Sequence, residues 1–228
     1  MDTLNLTKAQ AELDLNLTKA SVLTIPKMPV RLAMDVSGSM ESNFRTGFCE
    51  KILGLFSVFA LKFDDNGRLE FGTYNTSYRQ QEDVTSDNYE GYLTYHSIHA
   101  EGGTLHVPPL LGMLGNTVAA RSVSAVKGFF KKVAGVQETV RTPTYNALMT
   151  DGDAPDAEDF CKRVAALDKR DFIHIICIGT QVSIGNFDRI ANLPNVAVVH
   201  FPNPLKVTME DFYSQMVTPK FGPWINSL

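Results

Sequence analysis

Apolar residues along this chain fall into two patterns, short continuous runs and longer stretches in which they recur every three or four positions. Continuous runs are typical of parallel strands, which are buried on both faces, and the three-to-four spacing is typical of amphipathic helices. The runs are VRLAMDV (30–36), RLEFGTY (68–74), TYNALMT (144–150), FIHIICIG (172–179) and NVAVVHF (195–201). The predicted helices cover 44–63, 86–97, 107–119, 156–167 and 209–217.

Strands that alternate with helices predict an α/β fold, namely a doubly wound, mostly parallel central sheet flanked by helices. The main domain is predicted over 28–218. Ahead of it, the segment LNLTKA occurs twice, at 4–9 and 15–20, with leucine alternating with polar residues. This alternation predicts a short N-terminal β-hairpin over 1–27. The apolar C-terminal tail, 219–228, either packs on the domain or presents a docking peptide.

Composition narrows the class of protein. The 228 residues are 44% hydrophobic and 20% charged, which is typical of a folded globular domain, and the net charge of −4 does not favour nucleic acid as a partner. No run of about 18 apolar residues and no signal peptide is present, so we expect a cytoplasmic protein without a transmembrane segment. Cys49, Cys161 and Cys177 have no CxxC spacing, which indicates reduced core thiols.

Oxygen-bearing side chains cluster in three segments that follow a predicted strand or open a helix: DVSGS, EGGTLH and MTDGDAPD. In doubly wound sheets, ligands bind at the carboxyl ends of the strands. Carboxylate and hydroxyl oxygens suit Mg²⁺ or Mn²⁺, and the glycines allow a close approach of the backbone. The candidate metal ligands are Asp35, Ser37, Ser39, Thr104 and Asp151.

Simpler roles exist for several of these polar residues. Asp35, Ser37 and Ser39 could cap a helix, although a cap does not account for the other two segments. Asp153 and Asp156 are interpreted as acids at a helix N-terminus. The spacing of three histidines around the glycine pair does not favour zinc, and two others lie in apolar strands, as core or strand-end residues. These histidines are His96, His99 and His106, and His174 and His200.

Together, DVSGS, GGT and TDG resemble the metal-ion-dependent adhesion site of von Willebrand factor A domains. The resemblance implies that Ser37, Ser39 and Thr104 offer hydroxyls to the ion, and that Asp35 and Asp151 act largely through waters and hydrogen bonds. It also implies that a Glu or Asp side chain from a protein partner completes the coordination. An ion with few direct carboxylates stays electron-poor and attracts such a ligand.

A closer resemblance is carried by LNLTKA, ALKFDDNGRLEFGTYN (60–75), DNYEGYL (87–93) and VKGFFKKV (126–133). These segments are similar to A-type domains of tellurium-resistance and stress-response proteins, whether bacterial or phage-borne. The basic segment Lys127–Lys132 is interpreted as a helix with its phenylalanines in the core, and peripheral membrane contact is the alternative.

The predicted function is therefore that of a Mg²⁺- or Mn²⁺-dependent protein-interaction domain. One alternative is a phosphoryl hydrolase of the haloacid dehalogenase type, which would need a DxDx[TV] pattern. Ser37 occupies the position of its second Asp, so the general acid is missing. No GxSxG, P-loop or GxGxxG motif is present either, so we do not expect the protein to be an enzyme. A structural subunit of a larger particle is the other alternative, and the oligomeric state is left open.

Overall fold

A mostly parallel sheet lies at the centre of the protein, whose computed structural model describes residues 4–115, 141–217 and 219–228. Within these residues the sheet has six strands in the order β3-β2-β1-β4-β5-β6, and β3 alone runs antiparallel, to β2. The strands are β1 (Val30–Asp35), β2 (Leu69–Tyr74), β3 (Tyr78–Gln80), β4 (Thr144–Thr150), β5 (Asp171–Ile178) and β6 (Val196–Phe201). All five predicted strands are confirmed, and β3 was not predicted.

Helices cover both faces of the sheet. In the described residues they are α1 (Leu6–Lys19), α2 (Glu41–Arg45), α3 (Phe48–Phe63), α4 (Tyr92–Tyr95), α5 (described over 107–115), α6 (Ala157–Ala165), α7 (Asp188–Ala191), α8 (Met209–Val217) and α9 (Phe221–Ile225). The helix predicted over 44–63 is split at Gly47, whose φ of 73° is left-handed and ends α2 before α3 begins.

Two apolar layers hold the helices on the sheet. In one layer, residues of α1, α3, α8 and α9 pack on one face, which includes Tyr145, Ala147 and Met149 of β4. In the other layer, residues of α5, α6 and α7 pack on the opposite face, which includes Leu148. This alternation along β4 places helices on both sides of one sheet, so the doubly wound architecture is confirmed.

The prediction of an N-terminal β-hairpin over 1–27 was wrong, because Leu6–Lys19 form helix α1. The Asn5 side chain accepts a hydrogen bond from the Lys8 backbone N–H at 2.9 Å and caps the helix. Ala9, Leu13 and Leu17 are buried at a spacing of four, so the helical period outweighs the leucine alternation. The segment therefore belongs to the core packing.

The C-terminal residues pack back on the domain, which is the first of the two alternatives for the tail. Helix α9 buries Phe221 and Trp224 against Phe172 of β5. The Trp224 indole N–H donates to the Lys169 carbonyl at 2.8 Å. The only tryptophan is thus part of the core.

The basic segment 126–133 lies outside the described residues, so the structure does not bear on its contacts. Within the parts of the chain that the structure describes, no helix has the length and apolarity that a membrane crossing requires. Cys49, Cys161 and Cys177 are buried and free, which confirms their prediction as core thiols.

Candidate metal centre

The candidate ligands converge at the carboxyl edge of the sheet, where β1 and β4 lie side by side. Strand β1 ends at Asp35 and strand β4 ends at Thr150, and the two strands pair in parallel. Their carboxyl ends therefore bring DVSGS next to TDG, although more than a hundred residues separate them in sequence. This is the ligand-binding edge expected of a doubly wound sheet.

A chain of short hydrogen bonds joins DVSGS to TDG. The Ser37 backbone N–H donates to Asp35 Oδ1 at 2.7 Å. Ser39 Oγ lies 3.1 Å from Ser37 Oγ and donates to Asp151 Oδ1 at 2.7 Å. The Ser39 hydroxyl thus binds the opposite loop.

Helix α2 has Met40 at its N-cap, and Ser37, which precedes the short 3₁₀ turn Gly38–Met40, makes no capping bond. The Ser37 and Ser39 hydroxyls therefore do not cap a helix, and the helix-cap alternative is wrong for them.

The third segment brings Thr104 to the same place. Thr104 Oγ1 lies 3.5 Å from Asp35 Oδ2. A Cβ atom at Gly152 would lie 3.8 Å from Ser39 Oγ and 4.0 Å from Thr104 Oγ1, so both hydroxyls face the TDG loop. Gly102 holds this approach with a left-handed φ of 79°, and its carbonyl accepts from the Gly38 N–H at 3.0 Å. The structure thus brings all five predicted residues together.

The two carboxylates of the candidate site are buried and lack a basic partner among the described residues. The Asp35 side chain is fully buried, and burial raises its pKa to about 6, despite hydrogen bonds from Ser37 and Thr150 that favour the ionised form. Burial also raises the pKa of Asp151. Among the described residues, no lysine or arginine forms an ion pair with either group. A bound divalent cation would supply the missing charge.

The donor set fits a hard cation. It consists of hydroxyl and carboxylate oxygens, which are the ligands that Mg²⁺ and Mn²⁺ prefer. No group of three or more His, Cys, Asp or Glu side chains suited to a metal occurs in the described part of the chain.

Each of the three histidines around the glycine pair lies beside a different side chain. The His96 side chain lies near Glu82, with 3.9 Å between Nε2 and the carboxylate, and exposed His99 lies 3.8 Å from Glu101. His106 is buried behind the metal centre, with Nε2 3.4 Å from Thr150 Oγ1.

The other two histidines lie in strands, as predicted, and each has a ring nitrogen within hydrogen-bonding distance of another residue of the chain. In the core, Nδ1 of His174 lies 3.0 Å from the Tyr145 hydroxyl. At the end of β6, Nε2 of His200 lies 2.6 Å from the Gly179 carbonyl.

Thr150 is a site residue that the sequence reasoning missed. Its hydroxyl donates to Asp35 Oδ2 at 2.9 Å and so holds the carboxylate from behind. The signal was available in the sequence, because Thr150 directly precedes Asp151 on the strand that ends beside Asp35.

Asp153 and Asp156 also have more specific partners than a helix N-terminus. Asp156 occupies the N-cap position of α6, as predicted, but its carboxylate binds the backbone N–H groups of His106 and Val107 at the start of α5. Asp153 binds the loop after β5, accepting from Ser183 N and Oγ at 2.7 Å and from Asn186 at 3.0 Å. Both acids tie the TDG loop to neighbouring loops.

Comparison with known proteins points to one family. Residues 27–227 match the model of a family described as vWA-TerF-like, the von Willebrand A domain found in the TerF C terminus. Uncharacterized protein YcbR of Bacillus subtilis (strain 168) is 26% identical over 93 residues, which are 41% of this chain and 37% of YcbR. The chain therefore matches well under half of the length of that relative.

Solved structures share the fold at low sequence identity. Proximal thread matrix protein 1 from the mussel byssus, in a form described with a zinc-occupied MIDAS motif, has a TM-score of 0.54 at 14% identity. That match covers 83% of this chain and 48% of the mussel protein. An aerotolerance-related membrane protein from Bacteroides fragilis NCTC 9343 has a TM-score of 0.51 at 15% identity, covering 90% of this chain and 100% of that one.

Proposed function

Because the chain belongs to the von Willebrand factor A family, in its TerF-like group, we propose that it is a divalent-cation-dependent protein-interaction domain. Domains of this family are typically interaction modules without catalytic activity. The proposal rests chiefly on one observation, the convergence of three hydroxyls on two buried carboxylates that pair with no lysine or arginine of the described residues.

The cation is held by the five residues that meet at the carboxyl edge of the sheet. Ser37, Ser39 and Thr104 offer hydroxyl oxygens, and Asp35 and Asp151 orient those hydroxyls and balance the charge of the ion. The resident ion is Mg²⁺ or Mn²⁺, since every donor is a hard oxygen. The zinc-occupied MIDAS motif described for the mussel protein supports a divalent ion at this position of the fold.

The partner is a protein that presents a Glu or Asp side chain. When bound, the ion supplies an electrophilic centre for an acidic ligand, because its protein ligands are mainly neutral hydroxyls. Ser39 is exposed while Asp35 and Ser37 are buried, so the centre opens to the surface on the Ser39 side. A carboxylate on a partner surface can therefore reach it.

We further propose that the domain works in a system of the tellurium-resistance or stress-response type, and the match to the TerF-like family supports the tellurium-resistance part of this proposal. A cytoplasmic location belongs to the same proposal and fits the three free cysteines. The haloacid dehalogenase alternative is not favoured, because Ser37 stands where the general acid would be and its hydroxyl faces Ser39.

The proposal is tested in two steps. We expect millimolar Mg²⁺ or Mn²⁺ to raise the thermal midpoint of the wild-type chain relative to EDTA, since a ligand bound only by the native state stabilises it. The Ser37→Ala/Ser39→Ala double variant should show no such rise, and Ser42→Ala, which removes an exposed hydroxyl from α2, should respond as the wild type does. A metal response that survives in the double variant would contradict the ligand assignment.

The second step tests the affinity of the bound ion for carboxylates. Mn²⁺ is paramagnetic, so bound Mn²⁺ should broaden the methyl proton resonance of acetate that coordinates it. Acetamide, which has nearly the same shape but no charge, should be broadened far less. Equal broadening of both probes, or none with a loaded protein, would show that the ion does not accept carboxylates.

A further inference from the structure

Behind the five metal-centre residues lies a second set of hydrogen bonds that ties their loops together. It begins at Asp156, which follows Asp151 in the loop after β4. The Asp156 carboxylate accepts from the His106 N–H at 2.9 Å through Oδ1 and from the Val107 N–H at 2.8 Å through Oδ2. Both N–H groups belong to the first turn of α5, where no helical carbonyl is available to them. One carboxylate thus satisfies two of these backbone donors from outside the helix.

This bridge fixes the position of Thr104, which lies two residues before His106. The Thr104 segment has other anchors as well: Gly38 N donates to Gly102 O at 3.0 Å, and Leu105 N donates to Asn75 O at 2.8 Å. Glycine loses more conformational freedom on ordering than any other residue. Without Asp156, the segment would lose the two bonds that tie the residues after Thr104 to the TDG loop, so the Thr104 hydroxyl would be held less firmly near Asp35.

Asp156 is also linked to Asp35 indirectly, through the side chain of His106. The His106 ring is buried between Phe160 and Phe187, at centroid distances of 5.6 and 5.7 Å. Its Nε2 atom lies 3.4 Å from Thr150 Oγ1, and that hydroxyl donates to Asp35 Oδ2 at 2.9 Å. Fixing the His106 backbone thus helps to fix the Asp35 carboxylate.

We propose that Asp156 is a positioning residue of the metal centre, which sets the affinity for the cation by holding Thr104 and Asp35 in place without contacting the ion. This inference rests on the proposed function, because it presumes that the centre binds a cation. Outer residues that orient metal ligands commonly change metal affinity by about 10- to 100-fold when they are replaced.

The test is a Mn²⁺ titration followed by electron paramagnetic resonance, which reports free Mn²⁺ directly. We expect Asp156→Ala to raise the dissociation constant for Mn²⁺ by about tenfold or more. Asp156→Asn keeps one acceptor oxygen and should lie between the wild type and Asp156→Ala. Asp159→Ala removes an acid from the first turn of α6 that pairs with Arg163 at the helix surface, and the affinity of this variant for Mn²⁺ should equal that of the wild type.

Loss of a helix cap could lower stability without any effect on metal positioning, and Leu13→Ala separates these two effects. Leu13 is buried in α1, away from the metal-centre residues, so Leu13→Ala destabilises the fold while leaving the centre intact. At a temperature where each variant is fully folded, Leu13→Ala should bind Mn²⁺ as the wild type does, and Asp156→Ala should not.

Wild-type affinity in Asp156→Ala would overturn the positioning role while leaving the proposed function in place. An equal loss of affinity in Leu13→Ala and Asp156→Ala would also overturn it, because the effect would then follow from stability alone. A wild-type chain that binds no Mn²⁺ would overturn the proposed function and, with it, this inference.

Discussion

Replacing Leu13 by alanine should lower the free energy of unfolding by about 2–5 kcal/mol, because a fully buried leucine loses its transfer energy and leaves a cavity. Leu13 is 0% exposed and packs in the same apolar layer as Ala9 and Leu17 of α1. The chain as a whole is expected to be stable by about 5–15 kcal/mol, so this single change removes a large part of the total.

Leu15 provides the matched control, because it lies in the same helix and is 48% exposed. Leu15→Ala should cost roughly 1 kcal/mol or less, since burying a whole leucine contributes about 1.5–3 kcal/mol and half of this side chain is already in water. Helix propensity hardly differs between the two substitutions, because both exchange leucine for alanine inside α1. The difference between the variants therefore measures burial.

The assay is urea unfolding of the wild type and both variants, followed by circular dichroism, with the slope on denaturant checked for constancy. The two readings of this segment make opposite predictions. In a β-hairpin, Leu15 would lie on the inner face of the second strand and Leu13 near the turn, so Leu15→Ala would be the costly change. That outcome would refute helix α1 and its place in the core.

Three further predictions follow from packing and titration. Gly112→Ala should destabilise the chain, because the added Cβ would overlap the Tyr78 ring. Gly115→Ala in the same helix meets no described atom within 4 Å and should stabilise the chain by up to about 1 kcal/mol. Urea unfolding that finds both variants stabilised would contradict the overlap. Burial lowers the pKa of His174 to about 3, so stability should fall as the pH drops below the unfolded value of about 6.5, by up to about 1.4 kcal/mol per pH unit from this group. His174→Phe should flatten that slope in unfolding titrations between pH 7 and 5, and an unchanged slope would show that another group causes it. Trp224 should fluoresce at short wavelength and resist acrylamide quenching, because it is 4% exposed, and a red-shifted, quenchable emission would mean that α9 is undocked.

The strands, and the convergence of the five candidate ligands, could be predicted from sequence because each segment carries a local signal. The continuous apolar runs predicted β1, β2, β4, β5 and β6 to within about two residues, since strands covered on both faces need apolar side chains at nearly every position. The approach of Asp35 to Asp151 could be predicted because Asp35 ends β1 and Asp151 directly follows β4, its parallel neighbour. Thr104 was predicted from its EGGTLH segment and not from a strand end.

What the sequence did not predict depends on tertiary contacts. The alternation of Leu4, Leu6, Leu15 and Leu17 resembles a strand, and only packing shows that Leu13 is buried and Leu15 is not. Strand β3 is three residues long and owes its pairing to β2, so it has no periodicity of its own.

The side-chain partners of Asp156 could not be predicted from the sequence either. Asp156 was expected at the N-terminus of α6, and it does occupy the N-cap position there. Its side chain instead binds the start of α5, about fifty residues earlier in the chain. An acid near the start of a predicted helix is expected to interact with a helix N-terminus, but the sequence does not show which of two helix N-termini its carboxylate will bind.

Isothermal titration calorimetry of Mg²⁺ into the chain, after removal of metal with EDTA, tests the central claim most directly. We predict one binding site per wild-type chain, and the loss of that site in the Ser37→Ala/Ser39→Ala variant with its fold retained by circular dichroism. Binding of equal strength and number in the double variant, or no binding of Mg²⁺ or Mn²⁺ to the wild type, would contradict the account.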